Sequence, residues 1–173
     1  MTLFRTIRIC AMSLVLSFCN AIQAQGGVPY RSLIFLEIGG LGGIGSINYQ
    51  HDIALNDHLA IGFRGGLGTV HLMDYRRKFN PDLIVPLSVQ MLYGRIHRIE
   101  MGIGQTIANY PVADLKRLPI HTRATHFSTT FSAGYRFDHP QTRLFYRCTY
   151  TPYVEKNKHF KHWGALSIGY AFK

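Results

Sequence analysis

Along most of this chain, large apolar residues alternate with small or polar ones, which is the two-residue period of a strand with unlike faces. The tail shows it most cleanly. Between Trp163 and Phe172, Leu166, Ile168, Tyr170 and Phe172 share one face, and Ala165, Ser167, Gly169 and Ala171 share the other. The same rhythm predicts seven earlier strands. The first covers 32–38, and the second covers about 44–52 with Ile47 and Tyr49 together on one face. The third sets Leu59, Ile61, Phe63 and Leu67 against Ala60, Gly62, Arg64, Gly66 and Gly68. The fourth, about 83–93, aligns Val85, Leu87, Val89, Met91 and Tyr93; Pro86 brings no ladder donor, so a bulge or a strand start is expected there. In the fifth, Ile99, Met101, Ile103 and Ile107 oppose Glu100, Gly102, Gly104 and Thr106. The sixth opposes Phe127, Phe131, Ala133, Tyr135 and Phe137 to Ser128, Thr130, Ser132, Gly134 and Arg136. The seventh, 144–151, opposes Tyr146, Cys148 and Tyr150 to Phe145, Arg147 and Thr149.

The links after the second, fourth and sixth strands are short, and those after the third, fifth and seventh are long, near 73–82, 109–124 and 152–161. The glycine cluster 39–43 after the first strand is the exception. The predicted fold is all-β: a closed antiparallel up-and-down barrel of eight strands. Alternation does not say which face looks in. A soluble surface is typically about 25–35% charged, whereas the small face here has Arg64, Glu100, Arg136 and Arg147 as its clear charges and is otherwise Gly, Ala, Ser and Thr. Beyond residue 24, the lysines fall in long loops or at Lys173. The small face therefore reads as a narrow interior filled by short side chains, and the bulky face as one that meets hydrocarbon. Strands two, four, six and eight end their bulky rows in Tyr49, Tyr93, Tyr135 with Phe137, and Tyr170 with Phe172, the expected aromatic girdle of one membrane rim.

An arginine facing lipid near the midplane costs about 2–4 kcal/mol, so Arg64, Arg136 and Arg147 are expected inside. There they need partners. Glu100 is the first candidate. Glu37 joins it if the first strand puts the face of Leu33 and Phe35 inward. A lumen plugged by Arg–Glu pairs, hydroxyls and waters follows, with no wide diffusion pore.

Charge and export signals complete the picture. The chain has 173 residues, a formal charge of +10 and a sequence pI of about 9.8, which alone suggests nucleic acid. The N-terminus argues otherwise: Arg5 and Arg8 precede an apolar run over 9–18 and small residues ending at Ala24, the layout of a cleaved signal peptide over 1–24. Its removal takes two positive charges and leaves +8 on the barrel domain, 25–173. Cys10 and Cys19 leave with it, so Cys148 stands alone; Phe18 before Cys19 makes a lipid-anchor site a poor match.

With this layout the chain resembles the small eight-stranded outer-membrane β-barrels of Gram-negative bacteria, the OmpA- and OmpX-like class. The more specific pieces are the run 43–49 and the tail 164–172. In that class an aromatic at the C-terminus, with aromatic or aliphatic residues at alternate preceding positions, helps the barrel-assembly machinery recognise the chain. Leu166, Ile168, Tyr170 and Phe172 match, and Lys173 departs by following the last aromatic. The resemblance implies an outer-membrane location but no single activity.

Chemistry is sparse. His126-Phe127-Ser128 resembles the His-x-Ser pair of outer-membrane lipid A deacylases, but the strand parity turns Ser128 inward and no acid stands ready to orient the histidine. His159 and His162 sit on a basic loop without a carboxylate or thiol nearby, so no metal site is read, and no cofactor is implied. The glycines of 39–45 precede no helix, which argues against a phosphate cradle. Arg76, Arg77, Lys78, Lys116, Arg117, Arg123, Lys156, Lys158 and Lys161 are expected in outer loops beside lipopolysaccharide phosphates. The leading expectation is a monomeric, non-enzymatic integral barrel with a structural or surface-interaction role and no nucleic-acid partner. The runner-up is a secreted soluble barrel with an apolar ligand in a greasy interior, and a lipid-modifying enzyme comes third.

Overall fold

The computed structural model describes residues 30–73, 79–112, 122–154 and 160–172. The strands are β1 (Tyr30–Gly39), β2 (Gly45–Ala54), β3 (Leu59–Thr69), β4 (Leu83–Gly94), β5 (His97–Val112), β6 (Thr122–Asp138), β7 (Leu144–Tyr150), the two-residue β8 (Tyr153–Val154) and β9 (Phe160–Lys161), and β10 (Gly164–Phe172). Each long strand pairs antiparallel with its neighbours in the order β5-β4-β3-β2-β1-β10-β7-β6, and β5 pairs with β6 to close the ring. The short strands are not additional staves. β8 keeps the β7 register against β6 (Ala133↔Tyr150, then Thr129↔Val154), and β9 keeps the β10 register on the facing side (Gly164↔Tyr150, then Tyr153↔Lys161). Pro152, without a donor, breaks the strand, but its carbonyl still accepts from Phe131 N at 3.1 Å. The result is a closed eight-stave barrel.

Closure satisfies the backbone, so the side chains decide what the barrel can sit in. Along β2, Ser46, Asn48, Gln50 and Asp52 are buried while Ile47 and Tyr49 are exposed; along β10, Ala165 and Ser167 are buried while Leu166 and Ile168 are exposed. This parity holds from strand to strand, so the polar row is the interior. Outside, Leu36 is 59% and Ile38 73% exposed, and Phe63, Met101, Ile103 and Phe131 are about half exposed.

Three expectations need correction. Pro86 causes neither a bulge nor a strand start. Its side chain is fully buried in mid-strand, and the β4–β5 ladder runs past it unbroken. Only the β3–β4 pairing lapses there, resuming at Gly68↔Ile84 in the register that holds at Gly65↔Leu87. The interior is also not confined to short side chains: Leu33, Phe35, Leu92 and Phe145 are buried inside, fitting because glycines such as Gly62, Gly102, Gly134 and Gly169 face inward elsewhere on the wall. Finally, the hairpin of β5 and β6 extends into the expected loop 109–124, so Arg123 belongs to β6, and Lys161, expected in the loop 152–161, belongs to β9. Above the apolar belt both faces meet water, and the two-residue period that marks a strand disappears.

The glycine cluster is the least anticipated element. Gly40–Gly42 forms a single 3-10 turn that folds into the barrel mouth at the long-loop end, burying Leu41. It touches β1 through β5 and β10, and Thr106 Oγ1 donates to Leu41 O at 3.1 Å. Positive φ at Gly39, Gly40 and Gly43 makes the tight reversal possible. The wall beneath is cut back to receive it: a Cβ on Gly68 would lie 2.0 Å from Gly42 O.

Gly68→Val should therefore unseat the turn and lower the free energy of unfolding by about 1–3 kcal/mol, read from urea titration of the folded gel band. Gly45→Ala, where an added Cβ meets nothing within 4 Å, should stay within about 0.5 kcal/mol.

Candidate functional site: the charged lumen

The inward rows of β1, β2, β3, β5, β6 and β7 bring guanidiniums and carboxylates together along the barrel axis. Near the long-loop end, Arg64 Nη2 donates to Glu37 Oε1 at 2.5 Å, while Arg64 Nε and Nη2 reach Asn48 Oδ1 at 3.1 and 2.9 Å. Ser167 Oγ donates to the other Glu37 oxygen at 3.1 Å. At mid-height Arg147 Nε lies 2.8 Å from Glu100 Oε2, and its Nη2 donates to Gln50 Oε1 at 2.8 Å. Arg136, with no exposed surface, lies 2.8 Å from Asp52, 3.2 Å from Glu100 and 3.3 Å from Asp138. At the short-turn end Asp138 also takes Arg31 at 2.7 Å and Arg98 at 3.1 Å. In these ion pairs five guanidiniums face four carboxylates, which leaves one surplus positive charge inside the wall.

Two aromatic rings separate the tiers. Phe35 and Phe145 meet edge to face at 5.6 Å, and the Arg147 guanidinium stands 4.7 Å from one ring centre and 5.4 Å from the other. Arg64 lies 5.0 Å from the Phe35 centroid and Arg136 5.6 Å from that of Phe145. Arg147 Nη1 has no hydrogen-bond partner, and these ring faces supply electrostatic contact where a carboxylate does not. Arg136 Nε and Nη1 and Arg147 Nε are close to carboxylates without the alignment of a hydrogen bond, so Coulomb attraction more than directional bonding holds those contacts.

The structure thus brings Arg64, Glu37, Glu100, Arg136 and Arg147 into the lumen and adds Asp52, Asp138, Arg31 and Arg98, which sequence reasoning missed. A signal for the two aspartates was present: Asp52 continues the row of Asn48 and Gln50, and Asp138 the row of Arg136. Both lie at strand ends, where an acidic residue reads as a turn.

The aromatics named for the girdle lie on the outer face. Tyr93, Tyr135, Phe137, Tyr170 and Phe172 stand towards the short-turn end, while Tyr49 sits higher, opposite Ile34 and Gly65, with its hydroxyl 3.0 Å from Ser32 Oγ. Several pair with histidines: His58 packs beside Tyr93, and His97 stacks on Tyr135, hydrogen-bonds its hydroxyl and contacts Phe137. Of the loop cations, Arg76, Arg77, Lys78, Lys116, Arg117, Lys156 and Lys158 lie outside the described residues. Arg123 is a clamp, donating to Asn109 and Asn80 side chains and to the Pro81 and Asn109 carbonyls. Lys161 lies 5.9 Å over the Tyr153 ring.

His126 stacks on Tyr110 with centroids 4.8 Å apart, and no hydrogen bond joins it to Ser128 among the described residues. His162 pairs with the Tyr150 hydroxyl, and His159 lies outside the described residues. Among the described residues no three His, Cys, Asp or Glu side chains gather as a metal site.

No protein-family model and no curated protein matches the chain. Solved structures do. The N-terminal β-barrel domain of Pseudomonas aeruginosa OprF matches with a TM-score of 0.56 at 14% identity, covering 86% of this chain and all of that one. The Yersinia pestis outer membrane protein Ail, in a phospholipid bilayer nanodisc, matches with a TM-score of 0.51 at 12% identity, covering 83% of this chain and all of that one. The fold is that of the eight-stranded outer-membrane β-barrels. At these identities the likeness concerns the fold, and what the chain does has to come from its own side chains.

Glu37→Ala leaves Arg64 buried without its carboxylate, with Asn48 as its remaining hydrogen-bond partner, and should cost about 3–5 kcal/mol, measured by urea unfolding of the purified barrel. Adding Arg64→Met should restore most of that stability. A double variant as unstable as the single one would mean that the two charges do not depend on each other.

Proposed function

We propose that this protein is an integral barrel of the bacterial outer membrane, non-enzymatic and monomeric, with a structural or surface-interaction role. One observation carries the reading: the apolar face points out and the charged face points in. In water, the outward Ile, Leu, Val, Met and Phe side chains would each forgo on the order of 1 kcal/mol of burial, and together they form a belt far larger than a soluble surface carries. In hydrocarbon the same belt is satisfied, and the closed ladder leaves no backbone edge unpaired there. The runner-up, a soluble barrel with a greasy ligand cavity, requires the opposite arrangement.

The lumen is a plug in this reading. Ion pairs run from the short-turn end up to Arg64 and Glu37, and the buried Leu41 turn occupies the mouth above them. Passive diffusion is therefore not its task. The long-loop end faces outward, where the cations of the loops near 73–82, 109–124 and 152–161 meet lipopolysaccharide phosphates. The segment 1–24 is a signal peptide removed on export, and β10, ending in Tyr170 and Phe172, is the strand that the assembly machinery reads.

Membrane fractionation with heat-modifiable gel mobility tests this. The protein should resist extraction by carbonate, migrate faster before boiling than after, and add no measurable conductance to a planar bilayer. Recovery in the aqueous fraction without a mobility shift would falsify the reading.

A further inference from the structure

On the described outer wall, a polar cross-strand pair interrupts the apolar rows of β5 and β6. On β5 and β6, Ile103↔Phe131 and Ile107↔Phe127 are cross-strand pairs on the outer face, and between them the pair is Gln105↔Thr129. Thr129 Oγ1 donates to Gln105 Oε1 at 3.3 Å. That contact uses the amide oxygen, no hydrogen bond to the amide nitrogen is found among the described residues, and apolar pairs lie above and below. Polar groups held inside a membrane belt are costly unless something there pairs with them.

Beside this pair lies an open groove of about 460 Å³, bordered by Phe63, Leu87, Val89 and Ile103, with the inward-facing Arg64, Ser88 and Gly104 between them, and ending at Gln105 and Thr129. The dent next to it has a simple origin. Gly65 faces outward between Tyr49 and Leu87, where a Cβ would meet only Leu87 Cδ2 at 3.5 Å. A larger side chain would fit there, and its absence leaves room along the wall. The groove climbs diagonally across β3, β4, β5 and β6, from apolar walls to a polar end on the side of the long loops.

We propose that this groove holds an acyl chain of lipopolysaccharide, with the Gln105 amide donating to an ester carbonyl or hydroxyl oxygen of that chain. The inference rests on the membrane reading above. The apolar walls match a hydrocarbon chain, the single polar end matches one oxygen-bearing position, and the direction of climb places that end in the leaflet under the long loops. A flat apolar partner surface would meet neither the dent nor the unpaired amide.

The test is native mass spectrometry of the full protein, purified from membranes in mild detergent and offered equal amounts of deep-rough lipopolysaccharide and diacyl phosphatidylethanolamine. The wild type should retain one lipopolysaccharide. Gln105→Leu should reduce that retention about tenfold, the fold-change of one lost hydrogen bond, and Gly65→Leu, which fills the dent, should abolish it. Equal retention by all three proteins overturns the proposal. So does preference for the phospholipid, or a dimer that Gly65→Leu dissolves, which would make the groove a contact between copies. Heat-modifiable mobility of each variant establishes that it folded. A folded, membrane-extracted barrel without bound lipid sinks the groove alone, whereas a protein found in the aqueous fraction sinks the membrane reading too.

Discussion

A guanidinium in a low-dielectric interior must be matched there, because it does not give up its proton. Arg136 and Arg147 on β6 and β7, with Arg64 on β3, impose that condition on the whole barrel. It fixes which face of each of these strands looks inward, since a one-residue slip of any one of them would carry its arginine into the belt. It also fixes which strands face one another across the axis. Arg136 reaches Asp52 on β2, Arg147 reaches Glu100 on β5, and Arg64 reaches Glu37 on β1. The backbone ladder links only neighbours, so these contacts tie together staves that never touch through hydrogen-bonded pairing.

The remaining features follow from the same requirement. Carboxylates alone would leave a surplus of positive charge, and the rings of Phe35 and Phe145 spread part of it across their faces. Two large aromatics in a narrow tube demand space, which explains glycine at Gly169, where a Cβ would stand 2.3 Å from Phe35 Cβ. Small residues in the lumen are therefore the complement of its large ones, and the two sets are placed against each other in three dimensions.

That complementarity marks how far the sequence could be read. Strand parity was legible because the belt and the lumen sit on opposite sides of every stave, so the alternation of Ile99, Met101 and Ile103 with Glu100 and Gly102 has a direct spatial meaning. The inward direction of Arg64, Arg136, Arg147 and Glu100 follows from that parity. Cross-axis partners were not legible. Asp52 and Arg136 are 84 residues apart, and nothing local to either announces the other. The hairpin above the belt was illegible for another reason: Thr125, His126 and Asn109 face water on both sides, so strand geometry leaves no hydrophobic trace. The inward-folded turn is a third kind of case, because glycines signal freedom to bend and do not say which way.

That turn also occupies a particular place on the circumference. It follows β1 directly, and β1 is where the two ends of the chain meet, Gly39 opposite Ala165 and Ser32 opposite Phe172. A Cβ on Gly40 would run into both Glu37 and Ala165, so the turn rests on the first stave and the last at once. Its packing is complete only when the ring is shut. The turn thus acts as a latch across the seam beneath it, and a force that parted the seam would lift the latch with it.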